Sequence, residues 1–572
     1  MQKKEHSTSR LLHSLFPIVV LVILSIVMIY PFYQSGAVPL GDDFHFHMER
    51  AENWYQQLVS HTGFSYANFY TFHQVGYPLD LFYPFITFYP VALIRFILGF
   101  SPITSYYAFV FLLQIATLLL CYFIGRKMWT SRLAAFAFAV MYGFSSYRLL
   151  DVFSRAAVGE MIALTFFPLA IYGMYAIIKG NKLGWLPLAL GMTLLVYSHL
   201  LSVVFVAVIL LILFLCYLPQ FLEDRGKLFQ LIYAILATII LAAITIFPLL
   251  EQMRGTKLTT GFKPILEEFK IPFGEDLLTS LTNQMNAGDV NVGLFVILAM
   301  VLGLIFWRKI SKFSRVLLMT AVVLFLTEGL LDWNLVQNTP IAGIQFPWRL
   351  HSQITVCALL VAGELIQIAT QAIGTIPPSK KKARLHALEG ILLAGIVIMA
   401  LWAPNHLRQS LTERAATTDN PDQHITYTNQ NYYEYIGQRP IEDYLTDAAR
   451  ENIDSIMSHE AFTQTENYQE KVVKDQLQMS FTMPQEGAFT TYVPYYKGFK
   501  VKEQNKDIPI TVSEEGTIQV DLSKGDHQLT VYYQMTTIQK ISWGLSIAGW
   551  FLLCLFIIYR ITKKRRERKA QF

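Results

Sequence analysis

The chain has 572 residues, of which 53% are hydrophobic and only 15% charged. Soluble domains carry roughly a quarter charged side chains, so this balance excludes an ordinary soluble protein and points to a polytopic membrane protein. The net charge of +5 is not a nucleic-acid footprint, because Lys and Arg sit in short tracts between apolar runs and so report topology.

The first apolar run, Leu15 to Tyr33, follows Lys3, Lys4 and Arg10. It is longer than a signal-peptide core and lacks a small-residue cleavage site, so it reads as a retained helix. The basic N-terminus then stays in the cytoplasm. Directly after it, on the outer face, comes Gly41-Asp42-Asp43-Phe44-His45-Phe46-His47-Met48-Glu49-Arg50. An anchor needs no carboxylate pair and two histidines at the mouth of its first helix, which makes this stretch the first candidate for an active site. The following segment, Phe72 to Ser101, is apolar but interrupted by Pro78, Pro84 and Pro90, and it contains Asp80 and Arg95. It is expected to lie in the outer interface without crossing, its aromatic side toward lipid.

At about 20 apolar residues per crossing, twelve spans are expected: 15–34, 104–125, 132–147, 157–179, 183–197, 199–219, 229–249, 291–307, 314–330, 351–373, 387–404 and 541–560. Each cytoplasmic loop is then basic. The loops carry Arg126, Lys127 and Arg132; Lys179 and Lys182; Arg225 and Lys227; Arg308, Lys309, Lys312 and Arg315; and Lys380, Lys381, Lys382 and Arg384. Cys121, Cys216, Cys357 and Cys554 all fall in apolar runs and read as buried thiols. Residues 405–540 are polar and face outward in this topology. Alternation at Gln478 to Phe481, Thr490 to Val493, Ile518 to Leu522 and His527 to Tyr533 predicts strands, with turns at Gly498, Gly516 and Gly525. The expected organisation is a transmembrane domain over 1–404 with an outer loop at 35–103, an extracytoplasmic β-rich domain over 405–540, and a final helix with a basic cytoplasmic tail over 541–572.

The acidic first-loop motif, the interfacial segment after it and a basic short loop after the next helix resemble the layout of C-type (GT-C) glycosyltransferases. Cys121 to Arg132 is similar to that group's loop between the second and third helices. Ser154-Arg155-Ala156-Ala157-Val158-Gly159-Glu160 with Pro168 resembles a motif of related bacterial membrane proteins. Near the C-terminus, Val493-Pro494-Tyr495-Tyr496-Lys497-Gly498-Phe499-Lys500-Val501 and Leu522-Ser523-Lys524-Gly525-Asp526-His527 resemble YfhO-like membrane proteins, with Phe499 where Trp is expected. These resemblances imply an enzyme of the bacterial plasma membrane with an extracytoplasmic active site. It would transfer a sugar from an undecaprenyl-phosphate carrier to a cell-envelope glycopolymer such as lipoteichoic acid.

Glycosyl transfer needs a base to deprotonate the acceptor hydroxyl. Asp42 or Asp43 fits, since adjacent carboxylates repel and one holds its proton more tightly; Asp43 lies closer to the helix that follows. The competing explanation is an N-cap for that helix. His45 and His47 line the same cavity in this reading, and with the Asp pair they would allow a divalent cation in an extended conformation. On a helix an i, i+2 pair cannot chelate, so no metal ligand is assigned and no cofactor is required. Outer-end cations run against the positive-inside trend and are candidates for the lipid phosphate: Arg349 beside Trp348, Arg155, and His199 in a turn between two apolar runs. Snorkelling is the alternative for these arginines and for Arg148 and Arg254. Glu160 would line the cavity, Glu251, Glu328 and Asp332 rank behind it, and Glu364 reads as a buried structural acid. Tyr492, Tyr495, Tyr496 and Phe499 fit either glycan stacking or a β-domain core. Neither a Gly-rich nucleotide loop nor a Rossmann fingerprint occurs, so the donor is expected to be lipid-linked. The rival is a transporter or flippase of a lipid-linked glycan, which would show repeat symmetry and broken helices.

Overall fold

The structure is a computed structural model and describes residues 2–39, 41–254, 258–259, 263–374, 378–417, 426–441, 443–460 and 462–570. Six helices among these are long and apolar enough to cross a membrane: Leu15–Ser35, Pro102–Met128, Val158–Ile178, Lys312–Leu330, Pro347–Ile373 and Thr537–Glu567. Two bent pairs raise the number to eight, Arg132–Gly143 with Ser146–Arg155 (41°) and Arg225–Leu241 with Ala243–Met253 (72°). The chain is therefore a multi-pass membrane protein, but the twelve expected spans are not reproduced. Trp185–Val196 and Leu294–Ile305 have 12 residues each, about 18 Å of helix against a hydrocarbon core of about 30 Å. Apolar composition marked these segments, whereas length decides a crossing.

Local sequence explains several boundaries. Pro102 opens its helix at the position where a missing N–H costs nothing, and Ser131, Asp224 and Ser311 accept hydrogen bonds from the first turns they precede. Helices Val158–Ile178 and Trp185–Val196 pack backbone to backbone through Gly173 and Gly191. A Cβ at Gly173 would lie 2.3 Å from the Leu188 nitrogen, and one at Gly191 2.6 Å from the Ala170 nitrogen. Small residues allow such approach where lipid supplies no hydrophobic drive. Cys121 and Cys357 are buried as expected, but Cys216 and Cys554 are exposed on the helix surface.

Residues 72–98 do not form a long crossing helix; they make two single turns and the nine-residue helix Pro90–Leu98. Their aromatic side faces protein, contrary to expectation: Phe72, Tyr77, Phe82, Phe85 and Phe88 are all buried. Phe82 stacks on Tyr444 at 5.0 Å and Phe85 on Trp543 at 6.3 Å. The rings are consumed in joining this segment to the polar C-terminal part and to the last helix, which leaves Phe96, Ile97 and Phe100 exposed.

The helix expected to end at 404 runs on as Pro378–Thr417. Beyond it, Thr426–Thr428 pairs antiparallel with Ala37–Pro39, and Leu445–Thr446 with Leu258–Thr259. The β-rich part occupies 466–533. A five-stranded antiparallel sheet takes the order Glu466–Val472, Leu477–Met483, Gly525–Tyr533, Phe499–Glu503, Lys506–Ile508. A three-stranded sheet comprises Thr511–Val512, Thr517–Leu522 and Gly487–Pro494. Phe481 and Phe489, one from each sheet, stack at 4.1 Å. Tyr492, Tyr496 and Phe499 are buried in this region, so core packing accounts for them and glycan stacking does not.

Candidate functional site

The first-loop motif is gripped by the C-terminal end of the first bent helix pair. The helix that begins at Ser146 ends in a π-helical turn, Asp151–Arg155, and the chain leaves through Ala156 at φ +50°; such turns are frequent at functional sites. The Arg155 carbonyl accepts hydrogen bonds from the backbone N–H groups of Asp42 (2.6 Å) and Asp43 (3.2 Å). Gly41 permits this approach: its φ is +61°, and a Cβ there would stand 2.6 Å from that carbonyl oxygen.

The Arg155 side chain gathers three carboxylates. Its Nε donates to Asp42 (2.8 Å), and its Nη1 donates to Asp151 (2.6 Å) and Glu160 (3.1 Å). Its guanidinium lies 4.4 Å from the Trp348 ring, a planar contact that suits arginine. Tyr147 donates to the other oxygen of Glu160 at 2.6 Å. Arg349 Nε lies 3.9 Å from Glu160, while its Nη1 donates to the Ile344 carbonyl and to Gln345. Buried charges of both signs are thus paired and hydrogen-bonded, the condition under which they are tolerated.

Asp43 differs from Asp42. It stands at the N-cap position of Phe44–Val59, with φ −123° and ψ −1°, yet its side chain makes no capping hydrogen bond. The capping explanation therefore fails for the residue best placed to serve it. Its carboxyl is half-buried, and burial pushes its pKa up to about 6 against the opposing pull of Arg155. Asp42 is ion-paired to Arg155 and its side chain remains 56% exposed.

Asp42, Asp43, Arg155, His199 and Arg349 all line one cavity of about 400 Å³. Tyr83, Phe346, Arg439, Asp443 and Tyr444 complete much of its wall. A second cavity of about 370 Å³ adjoins it across Asp42, Arg155 and Phe346, bounded by Ser154, Trp348 and Arg414. Glu160 sits behind the wall, held by Arg155 and Tyr147. His45 and His47 are corrected: neither lines this cavity, because the helix that starts at Phe44 carries each round to another face. His45 Nε2 lies 3.1 Å from both Glu49 and the Tyr435 carbonyl. His47 is buried among Phe46, Tyr83 and Phe88, and burial beside Arg50 keeps its pKa well below the usual histidine value. No shared chelate forms between the two. Arg148 reaches neither lipid headgroups nor the cavity; it is buried and donates to the Met161 carbonyl and to Thr117. Glu364 is half-buried rather than buried, and it accepts from the Ser311 N–H and hydroxyl. Among the described residues, the cluster with metal-ligand spacing is Asp276, Glu328 and His351, and none of the three lines the cavity.

Residue-by-residue reading missed Asp151, Tyr147 and the wall formed by Arg439, Asp443 and Tyr444. Asp151 had a usable signal, its i, i+4 spacing from Arg155 on one helix face. Nothing local marks Arg439 and Asp443, which reach the cavity because 426–441 packs on the first loop. There Glu49 accepts backbone N–H groups from Gly437 and Arg439.

Residues 2–457 match the model of a family of unknown function, DUF6541, and the chain belongs to that family. The stretches that resemble YfhO-like proteins, 493–501 and 522–533, lie beyond the matched range. No curated protein matches. Among solved structures, the crystal structure of the Archaeoglobus fulgidus oligosaccharyltransferase in its apo form is similar at 14% identity and a TM-score of 0.38. The similarity covers 75% of this chain and 60% of that chain, so this chain matches less than two thirds of that protein's length.

Proposed function

We propose that this member of the DUF6541 family is a membrane glycosyltransferase that takes a sugar from a polyprenyl-phosphate donor, of the undecaprenyl type in a bacterial plasma membrane. The acceptor is a hydroxyl of a cell-envelope glycopolymer, and lipoteichoic acid is one such polymer. The observation that carries this reading is the uncapped, half-buried Asp43 carboxyl on the same cavity wall as Arg349, Arg155 and His199. Asp43 takes the acceptor proton as the hydroxyl oxygen attacks the anomeric carbon. The bond from that carbon to the phosphate oxygen breaks, and the phosphate leaves with its charge held by Arg349 and Arg155, while His199, whose pKa burial lowers to about 4, serves as a neutral hydrogen-bond donor. Asp42, already paired to Arg155, positions the loop. The adjoining cavities, which meet at Asp42 and Arg155, suit two substrates that must meet at one bond.

The transporter reading has an observation in its favour. The two bent pairs are broken helices, the feature expected of a transporter, and one of them ends at Arg155; discontinuous helices are a feature of transporter sites. The discriminating experiment uses the full-length protein in proteoliposomes with a radiolabelled polyprenyl-phosphate sugar. An enzyme incorporates label into added glycopolymer, and Asp43→Asn abolishes incorporation while retaining lipid binding. Label that crosses the bilayer without product in the wild type overturns the enzyme reading.

A further inference from the structure

We propose that Asp276, Glu328 and His351 form a buried site for a divalent cation, separate from the sugar-transfer cavity and independent of that reading. Three elements meet there. Asp276 lies in the first turns of Phe273–Leu281, Glu328 near the end of Lys312–Leu330, and His351 at the start of His351–Gly374. All three side chains are 1% exposed or less.

The geometry is that of a chelate. His351 Nε2 lies 2.8 Å from Asp276 Oδ2 and 3.8 Å from Glu328 Oε2, and the three ligand atoms fall within 4.8 Å of one another. Ligands about 2.1 Å from a tetrahedral cation stand roughly 3.4 Å apart, so small side-chain shifts suffice. The outer oxygens are already fixed: Asp276 Oδ1 accepts from Ser280, and Glu328 Oε1 from the Ile271 N–H. Such anchoring orients the free oxygen toward a shared point, as outer partners do in metal sites.

Charge and hydrogen bonding point the same way. Glu328 Oε2 is buried and makes no hydrogen bond, and the ion pairs of both carboxylates among the described residues are with His351. Even a protonated imidazole would leave the cluster with one uncompensated negative charge in a dry interior, which is costly. A divalent cation on neutral His351 brings the charge to zero and gives Glu328 Oε2 a partner. One imidazole with two carboxylates suits Zn²⁺ or Mn²⁺ better than Mg²⁺ or Ca²⁺, which favour all-oxygen shells. The site has a route to the cavity: the edge of the Tyr147 ring contacts His351 (5.9 Å), and its hydroxyl bonds Glu160, the partner of Arg155. The cation thus ties three elements together behind the cavity wall.

The test is the metal content of the full-length protein, purified in detergent and dialysed against Zn²⁺ or Mn²⁺. The expected result is one tightly held equivalent, lost in Glu328→Gln and in His351→Gln. Chelator-stripped wild type provides a measurement that needs no variant: added Co²⁺ should give the visible absorption of a nitrogen–oxygen site, and rebinding should raise Tm. Folded wild type that holds no stoichiometric metal and shows no Co²⁺ spectrum overturns the proposal and leaves a protonated-histidine triad. Full metal content in folded Glu328→Gln overturns it equally.

Discussion

Asp43 has a carboxyl whose pKa burial raises to about 6 in the folded protein, whereas in the unfolded chain it titrates near its ordinary value of about 3.9. As a base it must be ionised, so the transfer rate should climb through about pH 6 and level off above it. The stability consequence has the opposite sense. The folded state holds this proton more tightly than the unfolded state, so stability is lost as pH rises from about 4 toward 6. Asp43→Asn should therefore abolish transfer and, above pH 6, leave the protein equally or slightly more stable. The gain is at most about 1 kcal/mol, since the group is partly screened by solvent. A pH–rate profile and a thermal melt of the same two preparations check both claims. An Asn variant that melts lower at neutral pH would mean that the charge supports the loop.

Elements built from these residues were legible to different degrees. Strands at 478–481, 490–493, 518–522 and 527–533 fall inside observed strands, and Gly498, Gly516 and Gly525 all have positive φ. Two-residue alternation and glycine turns are local properties. The helix bends were not legible, because the 41° bend between Gly143 and Ser146 and the 72° bend at Ala242 fall inside apolar runs with no proline at the break. Nor was the anchor of the first outer helix. Asp80 accepts from Arg50 Nε (3.0 Å), Arg50 Nη2 (2.8 Å) and Trp54 Nε1 (2.6 Å), all fully buried. Asp80→Ala leaves the Arg50 charge buried without its counter-ion and should cost about 3–5 kcal/mol. Denaturant or thermal unfolding measures that loss, and Asp80→Asn should recover part of it by keeping the Trp54 bond. Unfolding of the Ala variant at the wild-type midpoint would refute the anchor.

Across the whole molecule, the candidate site was legible as a set of types rather than as a shape. Asp42, Asp43, Arg155, His199 and Arg349 are carboxylates, arginines and an imidazole at helix mouths, and they converge on one cavity. His45 and His47 were misplaced because their face depends on where the helix starts. The wall of Arg439, Asp443 and Tyr444 was missed because it is brought in over a long separation in sequence. The β-rich part is tied to the first loop in the same long-range way. Asp475 accepts from the Phe69 N–H (3.3 Å) and from Gln57 (2.9 Å), and burial pushes its carboxyl up to about 7. Protonation favours this docked state, so the junction should lose stability as pH rises from about 4 through about 7. Asp475→Asn keeps one acceptor oxygen, gives up the other of the two bonds, and should flatten the dependence of Tm on pH across that window. An unchanged slope would show that other groups set it.

The pairing of Ala37–Pro39 with Thr426–Thr428 also bears on how the molecule is made. The acidic loop is synthesised well before Gly437 and Arg439, the backbone partners of Glu49. Until then the cavity lacks a wall and the loop lacks its strand partner. Completion of the cavity wall is thus deferred until a segment 388 to 390 residues further along the chain has been made, and a chain cut before Gly437 presents the acidic loop without it.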